Sequence, residues 1–234
     1  QLEVRAGHND AVFAGDNAGF VFHFHNNSQL PRYQLKLRDE GGHATTFDLP
    51  AQQHARVLLP IPAPRRGWLD SGRLTLSTEF PLGLFYAWSY LHFDTRCLVY
   101  PRPADPVPLP ASSPQDGIGK LVGAGDEDFA GLRSYVAGDA LPRIAWKALA
   151  REQGLQVKQF SATQGRELWL DWAQLPYADG ERRLEMLTRW VLDADAQGLL
   201  YGLRLPGIEI APQHGPAHKA ECLAALALFG LTKS

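Results

Sequence analysis

Six prolines fall between Pro101 and Pro114. Proline fixes φ and carries no backbone N–H, so this run cannot enter a helix interior or a central strand. It reads as a stiff, extended connector, prolonged by the Gly-rich residues up to 125. The chain is thereby divided, and each part must build its own structure. The expectation is an α+β protein of two domains: residues 1–100, a linker over 101–125, and residues 126–234.

Residues 1–100 read as β. In Ala18-Gly-Phe-Val-Phe-His-Phe-His, Phe22 and Phe24 share one face and His23 and His25 the other. Asn26-Asn27-Ser28 marks a turn. Tyr33, Leu35 and Leu37 alternate as an inward row, and Gly41-Gly42 breaks the chain. Short strands follow at Thr45–Leu49, Arg56–Leu59, Arg73–Thr78, Trp88–Phe93 and Arg96–Tyr100, with Asp94-Thr95 as a hairpin tip. Seven or eight short strands separated by turn residues point to an immunoglobulin-like β-sandwich, with Trp68 and Trp88 in its core or at its rim.

The second part alternates. Leu155–Phe160 reads as a strand, and Glu167–Trp172, apolar on both faces, reads as a buried parallel strand. Asp179 can cap a helix whose apolar stripe is Leu184, Leu187, Val191 and Ala194, closed by Gly198. A strand over Leu199–Leu205, a short edge strand at Ile208 and Ile210, and a helix from Pro216 to Gly230 complete it. Strand, helix, strand, helix implies a right-handed crossover and a parallel sheet.

Between these lies Leu132–Arg151, with four cations, two aromatics and a Gly-Asp. Asp139 is suited to cap a helix over about 140–150, and Pro142 falls in its first turn. Arg143 and Lys147 are neighbours at i, i+4. From Gly131 to Phe160 five cations face two anions, a local charge of +3 in a chain whose net charge is −2. That supports a basic patch, not a basic protein, while the near-neutral overall charge argues against general nucleic-acid binding. Two readings stand side by side: a helix whose Trp146 plugs a core while its cations snorkel, or a surface of Arg133, Arg143, Lys147 and Arg151 meeting an acidic partner, anchored by Tyr135 and Trp146.

The same segment resembles the signature of a bacterial family known as domain of unknown function fifty-eight. That signature runs Arg-Glu-Tyr, Gly-Asp, Arg-x-Ile, Trp-Lys and Ala-Arg, and Arg133, Tyr135, Gly138, Asp139, Arg143, Ile144, Trp146, Lys147, Ala150 and Arg151 match it. Ser134 stands in place of the Glu, and Ala145 in place of a residue that is usually Asp or His. Looser similarity covers Thr78–Phe85, Val99–Pro103 and Tyr201–Gly207. The resemblance implies that residues 126–234 form a von Willebrand factor A-like α/β domain. It also implies an N-terminal membrane anchor ahead of Gln1, at the inner membrane with the soluble region in the cytoplasm. The implied partner is a MoxR-type AAA+ ATPase, beside a transglutaminase-like membrane protein. No enzyme activity and no cofactor come with it; the signature residues become a partner-binding surface. The absence of a starting Met agrees with a piece of a longer protein. Cys97 and Cys222, one in each part, read as buried reduced thiols, which favours a reducing compartment.

The chemical options are thin. A von Willebrand factor A domain holds Mg²⁺ through Asp-x-Ser-x-Ser; here Asp171 is followed by Ala173 and Leu175 where hydroxyls are needed, a degenerate site expected to bind no metal. The simpler role for Asp171 is a strand-end carboxylate that caps a loop. His23 and His25 face solvent more simply than they chelate. His214 and His218 are separated by Pro216, which starts the helix after His214. Gly117-Ile-Gly119-Lys120 is only a partial phosphate loop. Asp126–Asp128 is a solvated acidic run. A cryptic hydrolase using Asp139 or Asp171 with Arg143 lacks a visible nucleophile–base pair. An acidic ligand, nucleic acid or anionic lipid, on segment 131–160 remains the other alternative.

Overall fold

The alternation around Phe22 becomes a ten-residue strand, β3 (Asn17–Asn26), in which Ala18, Phe20, Phe22 and Phe24 are fully buried and His23 is exposed. In the computed structural model, residues 2–110, 129–134, 156–160 and 168–231 are described. They are mixed α+β, mostly β, with two α-helices. The chain forms two compact units: residues 1–106 with 177–189 and 221–234, and residues 107–176 with 190–220.

The first unit holds β1 (Leu2–Ala6), β2 (Val12–Phe13), β3, β4 (Arg32–Arg38), β5 (Ala44–Leu49), β6 (His54–Pro62), β7 (Gly67–Asp70), β8 (Arg73–Thr78), β9 (Ala87–His92) and β10 (Arg96–Tyr100). They pair in the orders β1-β3-β6, β2-β10-β7 and β5-β4-β8-β9. All pairings are antiparallel except β2 with β10. One apolar core collects residues from all three: Phe20, Phe22, Phe24 and Leu59 from the first, Cys97 and Val99 from the second, Leu37, Leu49 and Leu74 from the third. Each such fully buried Leu or Phe stabilises by about 1.5–3 kcal/mol relative to exposure.

Two expectations change here and a third is narrowed. Tyr33 is not inward with Leu35 and Leu37 but 42% exposed. The β4–β5 register shifts between Arg32 and Leu35, and Gln34 has φ 51°, so this irregularity turns Tyr33 to the other side. Asp94-Thr95 is not a hairpin tip: β9 pairs with β8 and β10 with β7, so the chain changes sheets there. Of the two places expected for Trp68 and Trp88, core or rim, the structure shows the rim: they are 54% and 58% exposed, each on an edge strand. Alternation reports that a strand has two faces, but not which large residue an edge leaves outside.

Two helices contribute to this unit, α1 (Gly180–Ala196) through its first turns and α2 (Pro216–Leu228) through its last. As the sequence indicates, Asp179 accepts from the backbone N–H of Glu181 at 3.0 Å, and Leu184, Leu187, Val191 and Ala194 are buried. Arg66, in the loop between β6 and β7, reaches both helices. Its Nε and Nη2 donate to the two carboxylate oxygens of Glu181 at 2.9 and 2.8 Å, and its Nη1 donates to the carbonyls of Ala227 and Phe229 at 2.9 and 2.8 Å. One guanidinium thus neutralises the acid in the first turn of α1 and satisfies the orphan carbonyls at the end of α2. Next to it, Gly67 has φ +107°, a backbone conformation that strains any side chain, and a Cβ there would also displace the end of the Leu231 side chain, 2.7 Å away at Cδ1.

In the second unit, β11 (Phe129–Ser134) pairs antiparallel with β12 (Gln156–Phe160). β13 (Leu168–Asp171) runs parallel to β14 (Tyr201–Leu205), and β15 (Ile208–Gln213) adds antiparallel at the edge through the Pro206-Gly207 turn. The parallel pair has α1 between its strands in sequence, as a crossover connection demands. Gly202 is opposite Trp169, and a Cβ on it would meet the indole at 2.7 Å. Its absence lets the ring lie across β14, with the Arg204 guanidinium 3.6 Å from the ring centroid. The described part of the proline run, Pro101–Pro110, contains no helix or strand. It is tied down all the same: Ala104 N–H donates to the Glu185 carbonyl and Trp190 Nε1 to the Pro108 carbonyl, each at 3.1 Å.

Arg66→Met removes the bonds to Glu181 and to α2 together and is expected to lower unfolding stability by about 3 kcal/mol. Glu181→Gln, at an exposed carboxylate, should cost less than about 1 kcal/mol at neutral pH. The Arg66 hydrogen bond holds the Glu181 carboxyl below its ordinary pKa. Its contribution is therefore full above the unfolded glutamate value and is lost as pH falls through the lowered folded value. Urea titrations of wild type and Glu181→Gln at neutral and acid pH should converge at acid pH; a gap that persists there would assign the stability to packing instead.

Candidate functional site

Of the signature residues, Arg133 falls in β11, opposite Val157 of β12. Tyr135, Gly138, Asp139, Arg143, Trp146, Lys147 and Arg151 lie outside the described residues, as do the helix expected over 140–150, the Gly117–Lys120 run and the Asp126–Asp128 run. The sequence did not foresee a strand at Phe129–Ser134, because Gly131 and Ser134 interrupt its alternation.

Asp171 ends β13, at the carboxyl end of the parallel pair, which is where open α/β sheets commonly hold ligands. Its Oδ1 accepts from the Ala173 N–H at 2.8 Å and caps a single 3₁₀ turn, Trp172–Gln174. This is the strand-end capping role that its sequence position indicates. Leu175 is buried, and Ala173 offers no oxygen from its side chain. A hard cation wants six or more oxygens, and among the described residues no group of three or more His, Cys, Asp or Glu side chains is placed to hold a metal.

The histidines have structural partners. His25 stacks on His54 of β6, ring centroids 3.8 Å apart and planes 11° from parallel. His218 is buried in α2, its Nε2 2.7 Å from the Tyr201 carbonyl, while His214 precedes the helix. Cys97 and Cys222 are buried and form no disulfide. Burial pushes both thiols up, Cys222 to about 12. A thiol so raised is not a nucleophile at neutral pH.

The first unit carries a cleft of about 560 Å³ beside Arg66, lined also by Arg65, Arg102, Glu181 and Glu185. Arg66 and Glu181 engage each other, and none of the lining residues is a Ser, Thr, Cys or His. The cleft is therefore lined by arginines and two carboxylates, one of which, Glu181, is held by Arg66. A second feature escaped the sequence reading: from Phe80 to Tyr90 the chain exposes Phe80, Leu82, Leu84, Phe85, Tyr86, Trp88 and Tyr90. The signal was present as an uncharged run from Phe80 to Leu91, which a solvated hairpin does not need.

The sequence matches no known family model and no curated protein.

Asp171→Ala is expected to lower stability by about 1 kcal/mol, the worth of a lost cap. Millimolar Mg²⁺ or Mn²⁺ should leave the melting temperature of both wild type and variant unchanged. Metal-dependent stabilisation seen in wild type and lost in the variant would restore Asp171 as a ligand.

Proposed function

We propose that the chain is part of a non-enzymatic adaptor, a protein that couples a partner to a membrane site by surface recognition. Within that class it is read as a relative of the domain of unknown function fifty-eight family, with an immunoglobulin-like sandwich before residue 101 and a von Willebrand factor A-like domain after 125. The partner is a MoxR-type AAA+ ATPase, and the setting is the cytoplasmic face of the inner membrane, reached through an anchor ahead of this segment. ATP-driven remodelling would then act on assembly of a membrane or envelope complex, with a transglutaminase-like membrane protein as a second component.

The observation that carries this reading is the run Arg133, Tyr135, Gly138, Asp139, Arg143, Trp146, Lys147 and Arg151, ten matched positions counting Ile144 and Ala150. Its Arg, Trp and Tyr are the residue types that dominate binding hot spots. Support for the α/β half comes from the parallel β13–β14 pair, with α1 between its strands in sequence.

The test is calorimetric titration of the chain with a MoxR-type AAA+ ATPase, with and without nucleotide. Micromolar binding is expected, weakened roughly tenfold or more by Arg143→Ala and by Lys147→Ala, consistent with hot-spot side chains, in variants whose melting is unchanged. No binding in any nucleotide state would remove the adaptor reading. Salt-sensitive binding of any polyanion by the same segment would replace it with an acidic-ligand site.

A further inference from the structure

The loop 79–86 lies beyond the last β8–β9 pair, Thr78 with Ala87. At this end of the sheet Leu82, Leu84 and Phe85 are 76%, 74% and 86% exposed. A folded chain has no internal reason to hold three large apolar side chains in water together. Back along the sheet the chemistry changes in order. Tyr86 and Trp88 come next, stacked with ring centroids 5.7 Å apart, and Tyr90 follows.

The register shows which side these residues occupy. Leu74 and Leu76 of β8 are buried and lie opposite Leu91 and Ser89, so Trp88, Tyr90 and His92 are on the outer face. On that face Lys36 of β4 shares the row of Ser77 and Trp88, Arg38 shares the row of Thr75 and Tyr90, and Arg73 is opposite His92. Lys36 and Arg38 are exposed, and neither has an ion-pair partner among the described residues. Arg73 pairs with Glu40 at 3.1 Å and covers the Tyr90 ring at 4.8 Å. Glu79 stands at the base of the loop.

From the loop inward the surface therefore reads aliphatic and phenyl, then amphipathic aromatic on β9 with cations level with it on β4, Lys36 in the row of Trp88 and Arg38 in the row of Tyr90. Tyr86 to His92 spans about 20 Å of strand. A protein interface surrounds an apolar centre with a polar rim; here the apolar residues stand at one end of the sheet, and the aromatic and cationic residues lie together behind them. That order matches the depth profile of a bilayer surface: acyl chains, then the headgroup level, which Trp and Tyr favour and whose anionic groups attract Lys and Arg.

We infer that the β8–β9 loop and the outer face beside it form a peripheral membrane-docking site for an anionic bilayer. Leu82, Leu84 and Phe85 enter the acyl boundary, Tyr86, Trp88 and Tyr90 sit among the headgroups, and Lys36 and Arg38 face the negative surface. This goes beyond the adaptor reading and does not depend on it, since it needs neither the ATPase nor any residue of segment 131–160.

The test is sedimentation of the 234-residue chain with phosphatidylcholine vesicles that lack or contain roughly 30% phosphatidylglycerol, enough to give a negative surface potential. Binding is expected to the anionic vesicles and to weaken steeply with salt. Leu84→Ser with Phe85→Ser should weaken it about 30-fold or more, from the lost apolar burial. Lys36→Gln with Arg38→Gln should weaken it about tenfold. All of these side chains are exposed, so the melting temperature of each variant should match wild type. Brominated acyl chains should quench tryptophan emission in wild type and much less in Trp88→Phe. Absence of vesicle binding, binding indifferent to both double variants, or binding of single-stranded oligonucleotide by this face in preference to vesicles would each overturn the proposal. Loss of ATPase binding through Arg143→Ala would leave vesicle binding unchanged, so the two readings fail separately.

Discussion

Arg66 holds together three parts of the first unit. Segments far apart in sequence meet at one guanidinium: the β6–β7 loop, the first turn of α1 through Glu181, and the last turn of α2 through the carbonyls of Ala227 and Phe229. Helix ends leave carbonyls and amides without partners, and burying them unpaired is costly. A planar, always-charged fork can serve a carboxylate on one edge and carbonyls on another, which an ammonium group does less well. Its side chain is only 10% exposed, so little solvent competes for these bonds. Gly67, held at positive φ against Leu231, is the backbone counterpart of the same junction.

The β-rich part shows a division of labour between its faces. Inside, Phe20, Phe22, Phe24, Leu37, Leu59 and Leu74 build one core from three sheets. Outside, edge strands β7 and β9 carry Trp68 and Trp88 into solvent. Edge strands normally discourage contact with charge. β9 instead carries aromatics on its outer face and leads from a loop that is apolar and uncharged from Phe80 onward, and the cations are one or two strands away on β4 and β8. That arrangement, more than the total charge of −2, defines what this surface can meet.

Much of the fold is legible in the residues alone. Phe22 and Phe24 mark an inward face, Asp179 a helix start, Leu184 through Ala194 a buried stripe, Pro216 and Gly230 the limits of the last helix. Asp171 marks a strand end that caps a turn. These are local rules: alternation, capping geometry and the fixed φ of proline act over a few residues, and tertiary context leaves them intact. The parallel pairing of β13 with β14 is legible too, because a helix between two strands leaves little other choice. The candidate site is legible only as a signature and a run of charge, since most of its residues lie outside those described.

The departures from expectation share one cause. Tyr33, the Asp94-Thr95 junction and the choice of rim over core for Trp68 and Trp88 all depend on which strand lies beside which, and on whether a strand ends a sheet. A register shift at Gln34 turns Tyr33 outward, and pairing across different sheets makes an expected hairpin tip into a crossing. Arg66 and Glu181 are 115 residues apart, and nothing local marks them as partners. The order of amino acids therefore sets the strand and helix segments, the proline break and the signature segment, since these follow from the conformations each residue permits. Which aromatics stay in water, which arginine joins the helix ends and which cations share a face are set by packing across the chain, because non-local pairing selects one arrangement among many that the local rules allow.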